Sequence, residues 1–177
     1  MLLNQFYNKT ELTQLMENMT IAVDTREKKI EHITSTWDQN GIRYKIQGLN
    51  AGDYGAIIPP APDLNIIKPI FIPVVIERKA NLDELANNFK NRSTFENEFI
   101  RLKFKGYKVY MFIEDLNGYE KLIKGQYRSQ YDSKAFLGSL KSFEARYNIN
   151  VKFIDPKLSA HEIFKTLYYE TKEFFLK

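Results

Sequence analysis

Three consecutive charged residues, Glu77, Arg78 and Lys79, follow an apolar run that reads as a buried strand. Because side chains alternate between the two faces of a strand, Glu77 and Lys79 share one face and Arg78 points to the other. A carboxylate and an amine on one face can hold a divalent cation and orient a water molecule beside it. Alternating charges also occur on exposed strands, so this segment alone leaves both interpretations open.

Three further acidic residues, Asp24, Glu27 and Asp53, lie at the ends of predicted strands. Gly52 permits a tight or positive-φ turn that directs Asp53 back toward the sheet edge. Asp53 and Glu77 then lie on adjacent strands of a predicted hairpin, so they can meet despite the residues between them. Carboxylates that gather as anions need a compensating cation, and hard ions such as Mg2+ and Mn2+ prefer oxygen ligands. The acidic residues therefore predict a metal site, beside which the lysine of the same segment positions or deprotonates the attacking water.

Each of these residues also has a purely structural interpretation. Asp24 and Glu27 have the spacing of a helix N-cap and its reciprocal Glu. Gly52 followed by Asp53 is also a common turn pair. The combination of acidic residues at successive strand ends, rather than any single residue, favours a functional site.

Interleaved strand and helix patterns predict the elements that position these residues. The predicted strands cover residues 20–23, 43–47, 54–58, 71–77, 108–113 and 149–154. The predicted helices cover residues 8–18, a segment ending near 40, and residues 82–90, 95–106, 133–147 and 159–175. Ser93-x-x-Glu96 and Ser159-x-x-Glu162 are predicted capping boxes, and the polar residues 117–132 predict a mobile loop. The pattern predicts an α/β fold in which helices flank a central mixed β-sheet of three to five strands.

The length of 177 residues predicts one domain, with residues 1–19 as an N-terminal helical extension. The absence of Cys excludes disulfides, zinc–thiolate sites and a cysteine nucleophile, and it fits an intracellular location in the cytoplasm or the nucleoid. No apolar run approaches the roughly 18 residues of a membrane span, so no membrane partner is expected.

The positive charge of the chain is concentrated in one segment. Residues 90–108 contain six basic and two acidic residues, so this segment alone carries +4, which equals the net charge of the whole chain. A basic segment of this kind permits a polyanionic partner, although it is also compatible with a solvated helix face.

Three separated blocks resemble the signature of the XPF-type structure-specific endonucleases. The blocks are Val23–Glu27, Gly52–Tyr54 and Val75–Lys79, the last followed by Asp83. The hallmark of that family is Gly-Asp, a variable gap, and Glu-Arg-Lys with an Asp four residues after the Lys. The family is a branch of the restriction-endonuclease-like, or PD-(D/E)xK, fold, and the resemblance extends over nearly the whole chain from about residue 20.

The resemblance implies a metal-dependent DNA endonuclease that hydrolyses phosphodiester bonds with Mg2+ or Mn2+ as cofactor. It implies that Asp53 and Glu77 are metal ligands, that Lys79 orients the attacking water, and that Arg78 is a structural or phosphate-contacting charge. It further implies branched, fork or flap DNA as the substrate, in repair or recombination.

The first block contributes further candidates by the same resemblance. Asp24 and Glu27 would belong to the acidic cluster as second-site metal ligands, with Arg26 near the scissile phosphate. Asp83 would fix the start of the helix behind the site. From the sequence alone, Asp83 is also a predicted N-cap.

Two features depart from the family pattern. Glu84 stands where the family usually has Leu, and the helix-hairpin-helix motifs that usually follow the nuclease domain are not found in this sequence. Much of the DNA affinity would then come from phosphate contacts, and binding should weaken steeply with salt. The residues expected to make these contacts are Arg92, Arg101, Lys103, Lys105 and Lys108.

Two alternative functions remain open. The chain could be a non-catalytic protein that binds DNA or a partner on the same scaffold, or a less selective nuclease.

The aromatic residues near the C-terminus exceed what one helix face buries, so we expect a homodimer contact there, with ordinary core packing as the alternative. These residues are Tyr168, Tyr169, Phe174 and Phe175.

Overall fold

The structure, a computed structural model, describes residues 7–176, in which strands and helices alternate. The strands are β1 (Thr20–Val23), β2 (Tyr44–Ile46), β3 (Tyr54–Ile58), β4 (Ile70–Lys79), β5 (Lys108–Ile113) and β6 (Ile149–Phe153). The helices are α1 (Lys9–Asn18), α2 (Glu31–Gln39), α3 (Leu82–Lys90), α4 (Arg92–Phe104), α5 (Gly118–Lys124), α6 (Ser133–Tyr147) and α7 (Ser159–Leu176). Of the predicted N-terminal extension, residues 1–6 lie outside the described part, and most of the remainder is α1.

Within the described residues, the strands form one six-stranded sheet in the order β2-β1-β3-β4-β5-β6. β1 pairs with β2 and β5 pairs with β6 in parallel, whereas β1 and β3 are antiparallel. The sheet is therefore mixed, as predicted, but it has more than the expected three to five strands. All six predicted strand segments, residues 43–47 among them, join this one sheet, so the expected number of sheet strands was too low.

The chain divides into two compact units. Unit 1 comprises the described parts of residues 1–50, 54–74 and 160–177, and unit 2 comprises residues 51–53 and 75–159. The first predicted acidic block lies in unit 1, and the Gly-Asp and Glu-Arg-Lys blocks lie in unit 2.

The core of unit 1 surrounds the fully buried indole of Trp37. Its ring packs against the rings of Tyr44 and Tyr54 at centroid distances of 5.5 and 6.0 Å. Its Nε1 donates a hydrogen bond to the carbonyl of Ala160 over 2.9 Å. A buried indole N–H without an acceptor is costly, so this bond fixes α2 against the first turns of α7.

The core of unit 2 is a cluster of aromatic rings from α3, α4 and α6. The ring of Phe143 lies 4.9 Å from Phe89, 5.7 Å from Phe95 and 5.8 Å from Phe99. Aromatic rings bury large areas and prefer such edge-to-face or offset contacts. The cluster therefore holds α3 and α4 in fixed positions beside the end of β4.

Both predicted capping boxes are wrong. α4 begins at Arg92, one residue after the end of α3, so Ser93 already lies inside the helix. Ser159 is helical as well, and its hydroxyl donates to the carboxylate of Glu114 instead of capping α7. The Ser-x-x-Glu pattern also occurs within helices, where it forms no cap.

Part of the predicted mobile loop at residues 117–132 is helix α5. The helix packs so closely at Gly118 that an added Cβ would lie 2.6 Å from the ring of Phe153. This helix is too short to be stable alone, so tertiary packing, rather than a periodic pattern, explains it.

None of the helices in residues 7–176 combines the length and the apolar character that crossing a membrane requires.

Candidate active site

The Gly52–Asp53 turn begins the candidate site. Gly52 has a φ of +74°, and an added Cβ would lie 2.8 Å from the Cβ of Val75, so glycine is required at this position. The amide of Gly52 donates to a Glu98 carboxylate oxygen over 2.9 Å. The amide of Asp53 donates to the carbonyl of Ile76 over 2.9 Å. These bonds fix the turn against the end of β4.

The Asp53 carboxylate lies beside the Glu-Arg-Lys segment. Its Oδ2 accepts a hydrogen bond of 2.7 Å from the backbone amide of Arg78. The sequence prediction that Asp53 meets the end of the strand containing Glu77 is therefore confirmed.

Glu77 and Lys79 form a buried ion pair on one face of β4. Lys79 Nζ lies 2.7 Å from Glu77 Oε1, and the two side chains are only 7% and 10% exposed. Glu84 Oε1 lies 3.8 Å from the same Nζ, and the Phe95 ring centroid lies 5.3 Å from it. The predicted alternation of the strand is thus correct for this pair.

The pKa of Lys79 is raised above its ordinary value. Burial lowers this pKa, but the charge and hydrogen bond of Glu77 and the charges of Asp53 and Glu84 more than offset the effect. With no ion bound to these carboxylates, Lys79 is therefore an ammonium at neutral pH and donates hydrogen bonds.

Arg78 points to the opposite face and pairs with Glu114. Its Nη1 lies 2.7 Å from Glu114 Oε2, and both side chains are 6% exposed. Ser159 Oγ donates to Glu114 Oε1 over 2.5 Å, and the Glu114 amide donates to the Lys79 carbonyl over 2.8 Å. Glu114 therefore holds the end of β4 through both its backbone and its side chain.

The sequence analysis did not assign Glu114 to the site. Its signal was the one that marked Glu77, a carboxylate directly after an apolar strand. Only the pairing of β4 with β5, which the structure provides, shows that Glu114 contacts Arg78.

Asp83 is not the N-cap of α3. Asn81 caps the helix, because its side chain accepts from the amide of Glu84 over 2.9 Å. Asp83 instead accepts a hydrogen bond of 2.7 Å from the amide of Ser129, and Arg128 Nε lies 3.5 Å from its other oxygen. Asp83 thus fixes the loop that precedes α6.

The first acidic block forms a local network in unit 1. Asp24 accepts hydrogen bonds of 2.9 and 2.6 Å from the amide and Nε of Arg26, and one of 2.6 Å from the amide of Leu49. Burial raises the pKa of Asp24, but these bonds to Arg26 and Leu49 outweigh it and lower the pKa. Glu27 accepts a 3.2 Å hydrogen bond from the hydroxyl of Tyr54. The alternative helix-cap interpretation is wrong, because α2 begins only at Glu31.

The carboxylate oxygens in unit 2 fit a hard divalent ion such as Mg2+. Three carboxylates, from Asp53, Glu77 and Glu84, act on the ammonium of Lys79, so acidic side chains from three parts of the chain converge here. Across residues 7–176, no group of three or more His, Cys, Asp or Glu side chains is arranged as a metal cage. Mg2+ is usually held by one or two carboxylates, with waters and substrate phosphates completing its ligands. The Asp53 and Glu77 carboxylates fit that requirement.

The predicted phosphate-binding residues differ in the contacts that their side chains make within the protein. Arg92 Nε lies 3.2 Å from Glu96 Oε2, and Lys103 Nζ donates to the Arg146 carbonyl over 2.7 Å. Lys108 Nζ lies 5.4 Å from the ring centroid of Tyr110. The other two, Arg101 and Lys105, are exposed.

A model of the ERCC4 domain matches residues 23–167. The chain belongs to the ERCC4 domain family. No curated protein sequence is significantly similar to it.

Solved structures show the same fold. XPF from Aeropyrum pernix superimposes with a TM-score of 0.61 at 20% identity, over 86% of this chain and 65% of that chain. XPF from Aeropyrum pernix in complex with DNA gives a TM-score of 0.60 at 20% identity, over 87% of this chain and 65% of that chain. The chain thus spans slightly less than two thirds of these XPF chains. The predicted restriction-endonuclease-like α/β fold and the predicted XPF-type family are confirmed.

Proposed function

We propose that this ERCC4 domain is a metal-dependent DNA endonuclease that hydrolyses phosphodiester bonds with Mg2+ or Mn2+. One observation carries the proposal: the Asp53 carboxylate lies against the strand end that holds the buried Glu77–Lys79 pair. The convergence of Glu77, Asp53 and Glu84 on Lys79 supports cation binding in the same place.

The proposed mechanism assigns a task to each side chain. Asp53 and Glu77 would hold the ion, which when bound lowers the pKa of water and neutralises charge on the phosphate. Lys79 donates hydrogen bonds that orient the attacking water and stabilise the charge that develops on the phosphate oxygens. Arg78, paired with Glu114, keeps the strand in the conformation that directs Glu77 and Lys79 to one face.

We further propose that the first acidic block contributes through Arg26. Its side chain is 71% exposed, while its Nε is held by Asp24. A guanidinium presented in this way suits a phosphate of the DNA backbone. Asp24 and Glu27 remain proposed ligands of a second ion.

The proposed substrate is branched, fork or flap DNA, with a role in repair or recombination inside the cell. The similarity to an XPF structure that contains DNA supports a DNA substrate. The basic segment at residues 90–108 supports a polyanion as well.

A cleavage panel tests the activity. Labelled single-stranded, duplex, fork, flap and four-way-junction DNA would be incubated with Mg2+, Mn2+ or a chelator. We expect cleavage within DNA in the presence of either ion and none with the chelator. Cleavage that persists in the chelator, or none in any combination, would refute a metal-dependent nuclease.

The second candidate function is non-catalytic binding of DNA or a partner on the same scaffold. Two observations favour it. Glu77 already forms an ion pair with Lys79, and residues 7–176 contain no group of three or more His, Cys, Asp or Glu side chains placed to hold a metal ion. Retarded migration of DNA with no cleavage under any metal condition would support this candidate.

We also propose that the chain acts as one nuclease domain and forms a homodimer. α7 presents Tyr169, which is 55% exposed, whereas Phe175 is buried and its ring lies 5.6 Å from that of Tyr7. Part of the predicted aromatic surface is therefore ordinary packing, and Tyr169 is the part available for a contact. Light scattering that gives the monomer mass at high concentration would reject the homodimer.

A further inference from the structure

Helix α4 is attached to the candidate active site at two points. The carboxylate of Glu98 accepts the amide of Gly52 over 2.9 Å, and the ring of Phe95 lies 5.3 Å from Lys79 Nζ. Both contacts lie within unit 2. The rest of α4 therefore has a defined position relative to Asp53 and Lys79.

The C-terminal turn of α4 presents an aromatic ring to solvent. Phe104 is 93% exposed, the highest value among the large hydrophobic side chains of residues 7–176. The buried side of the helix consists of Phe95, Phe99 and Leu102, so Phe104 contributes nothing to the core. A single exposed apolar residue needs no explanation by itself, and its surroundings decide the interpretation.

Those surroundings are basic. Arg101 lies three residues before Phe104 and four before Lys105, the C-cap residue of α4, so both side chains neighbour that of Arg101 on one exposed side of the helix end. Both carboxylates of the helix are engaged elsewhere. Glu96 binds Arg92, Arg146 and the hydroxyl of Tyr147, and Glu98 binds Gly52. The face therefore combines one aromatic ring with two cations and no carboxylate.

We propose that Phe104 stacks on an unpaired base of the DNA, while Arg101 and Lys105 contact phosphates beside that base. Positive charge complements the backbone, and aromatic rings bind bases in single strands because every base has a flat face. Bases within a duplex are already stacked and cannot offer that face to a helix. The proposal rests on the proposed nuclease function and adds the side chain that recognises the unpaired nucleotides of its substrate.

The helix geometry also gives a spacing. Phe104 lies six residues after Glu98, which places it about 9 Å further along the helix axis and about a third of a turn around it. Successive bases of a strand are about 3.4 Å apart, so the axial component alone spans roughly three nucleotides. We therefore expect the stacked base to lie at least that far along the strand from the phosphate held beside Asp53.

Binding measurements test the inference without cleavage. Fluorescence anisotropy in EDTA would compare a fork with a blunt duplex of the same sequence, for wild type, Phe104→Ala and Phe104→Trp. We expect Phe104→Ala to weaken fork binding about tenfold and duplex binding less than twofold, and Phe104→Trp to retain wild-type affinity. Ile67→Ala is the matched control, since Ile67 is 73% exposed and lies outside this face; it should change neither affinity.

A second readout reports stacking directly. 2-Aminopurine placed at successive positions of the unpaired arm should be quenched by wild type at one or two positions and not by Phe104→Ala. Unchanged fork affinity and quenching in Phe104→Ala would overturn the inference, as would an equal loss on fork and duplex. A change in oligomeric mass with an unchanged preference for forks would assign the ring to a contact between protein chains instead.

The binding tests of Phe104 and the cleavage test of the nuclease proposal can fail independently. If wild type binds forks through Phe104 but cleaves no DNA with Mg2+ or Mn2+, the nuclease proposal fails and the stacking inference stands. If wild type cleaves forks and Phe104→Ala binds and cleaves them equally well, the stacking inference fails and the nuclease proposal stands.

Discussion

The Asp24 block of unit 1 and the Asp53–Lys79 cluster of unit 2 both place carboxylates at strand ends, but different groups hold these carboxylates. Asp24 accepts hydrogen bonds from two backbone amides and from the Arg26 side chain that it orients. The Asp53 carboxylate accepts from the backbone amide of Arg78, and Glu77 pairs with Lys79, on which the charges of Asp53 and Glu84 also act.

The two regions differ in what a metal ion would have to displace. The Asp24 carboxylate is stabilised as an anion by amides and a guanidinium and fixes the loop that carries those donors, so a second ion at Asp24 and Glu27 would compete with them. Carboxylates that converge on one lysine attract a further cation more readily, and we therefore expect the principal ion at Asp53 and Glu77. Substitutions in the two regions should therefore have different consequences for cleavage and for stability.

The largest expected effect is that of Asp53→Asn on cleavage. The amide keeps the shape of the side chain but loses the charge, so the single-turnover rate with Mg2+ should fall about 1000-fold or more, equivalent to about 4 kcal/mol. Asp63→Asn, the same change at an exposed residue, is the control and should leave the rate unaltered. A wild-type rate for Asp53→Asn would remove the distinction between the two regions.

Lys79→Met should reduce cleavage by about 100-fold, because the ammonium that orients the water is lost while the length of the side chain is kept. Fluorescence anisotropy should show that DNA binding is retained. Lys79→Arg tests whether positive charge alone is sufficient; we expect partial activity, because the planar guanidinium has a different geometry.

The pH dependence sharpens this prediction. Glu77, Asp53 and Glu84 raise the pKa of Lys79 when no metal ion is bound, so the stability that its ammonium contributes in EDTA should be fully present below its ordinary pKa and be lost as pH rises through the raised value. The difference in unfolding free energy between wild type and Lys79→Met, measured in EDTA, should therefore stay constant between about pH 6 and 9. A difference that falls within that range would show that these carboxylates do not hold the lysine charged.

Much of the arrangement of unit 2 could be predicted from sequence, because local patterns determine it. The strand at Lys108–Ile113 and the helix at Ser133–Tyr147 match the predicted bounds, as both have a clear apolar pattern and a polar end. Glycine before Asp53 correctly predicted the positive-φ turn. The alternation of β4 correctly predicted which of its charged residues share a face.

Features that depend on partners distant in sequence could not be predicted. The role of Glu114 depends on Arg78 and Ser159, 36 and 45 residues away. Helix α5 depends on packing near Phe153, and its short polar sequence gives no periodic signal of its own. Asp24 resembled a helix cap locally, but its partner Leu49 is 25 residues away.

Glu114→Gln should destabilise the protein by about 2–3 kcal/mol. The guanidinium of Arg78 would lose its charged partner in a buried position, and an uncompensated buried charge is costly. For a chain of this size the melting temperature should fall by very roughly 4–12 °C, measured by circular dichroism. Glu120→Gln, at an exposed pair with Lys124, is the control and should have little effect.

A triple variant separates charge from packing at this position. Replacing the pair together with the buried hydroxyl that donates to Glu114, as Arg78→Met, Glu114→Leu and Ser159→Ala, should be less destabilising than Glu114→Gln alone, because neither an unpaired charge nor an unpaired hydroxyl remains. If the triple variant loses more stability than the single one, the packing of these side chains rather than their charge holds β4.

The smallest expected effect is that of Asp24→Asn on stability, about 1 kcal/mol in urea unfolding at pH 7. Burial alone would raise the pKa of Asp24, but its bonds to Arg26 and Leu49 lower it, so the folded value lies below the unfolded one. The stability from Asp24 is therefore fully present above its ordinary pKa and is lost as pH falls through the lowered value. The difference between wild type and Asp24→Asn should stay constant from pH 7 to about pH 5 and shrink below about pH 4. A difference that persists undiminished at acid pH would show that the carboxylate charge does not hold this loop, and the contrast with unit 2 would then rest on Asp53 and Glu77 alone.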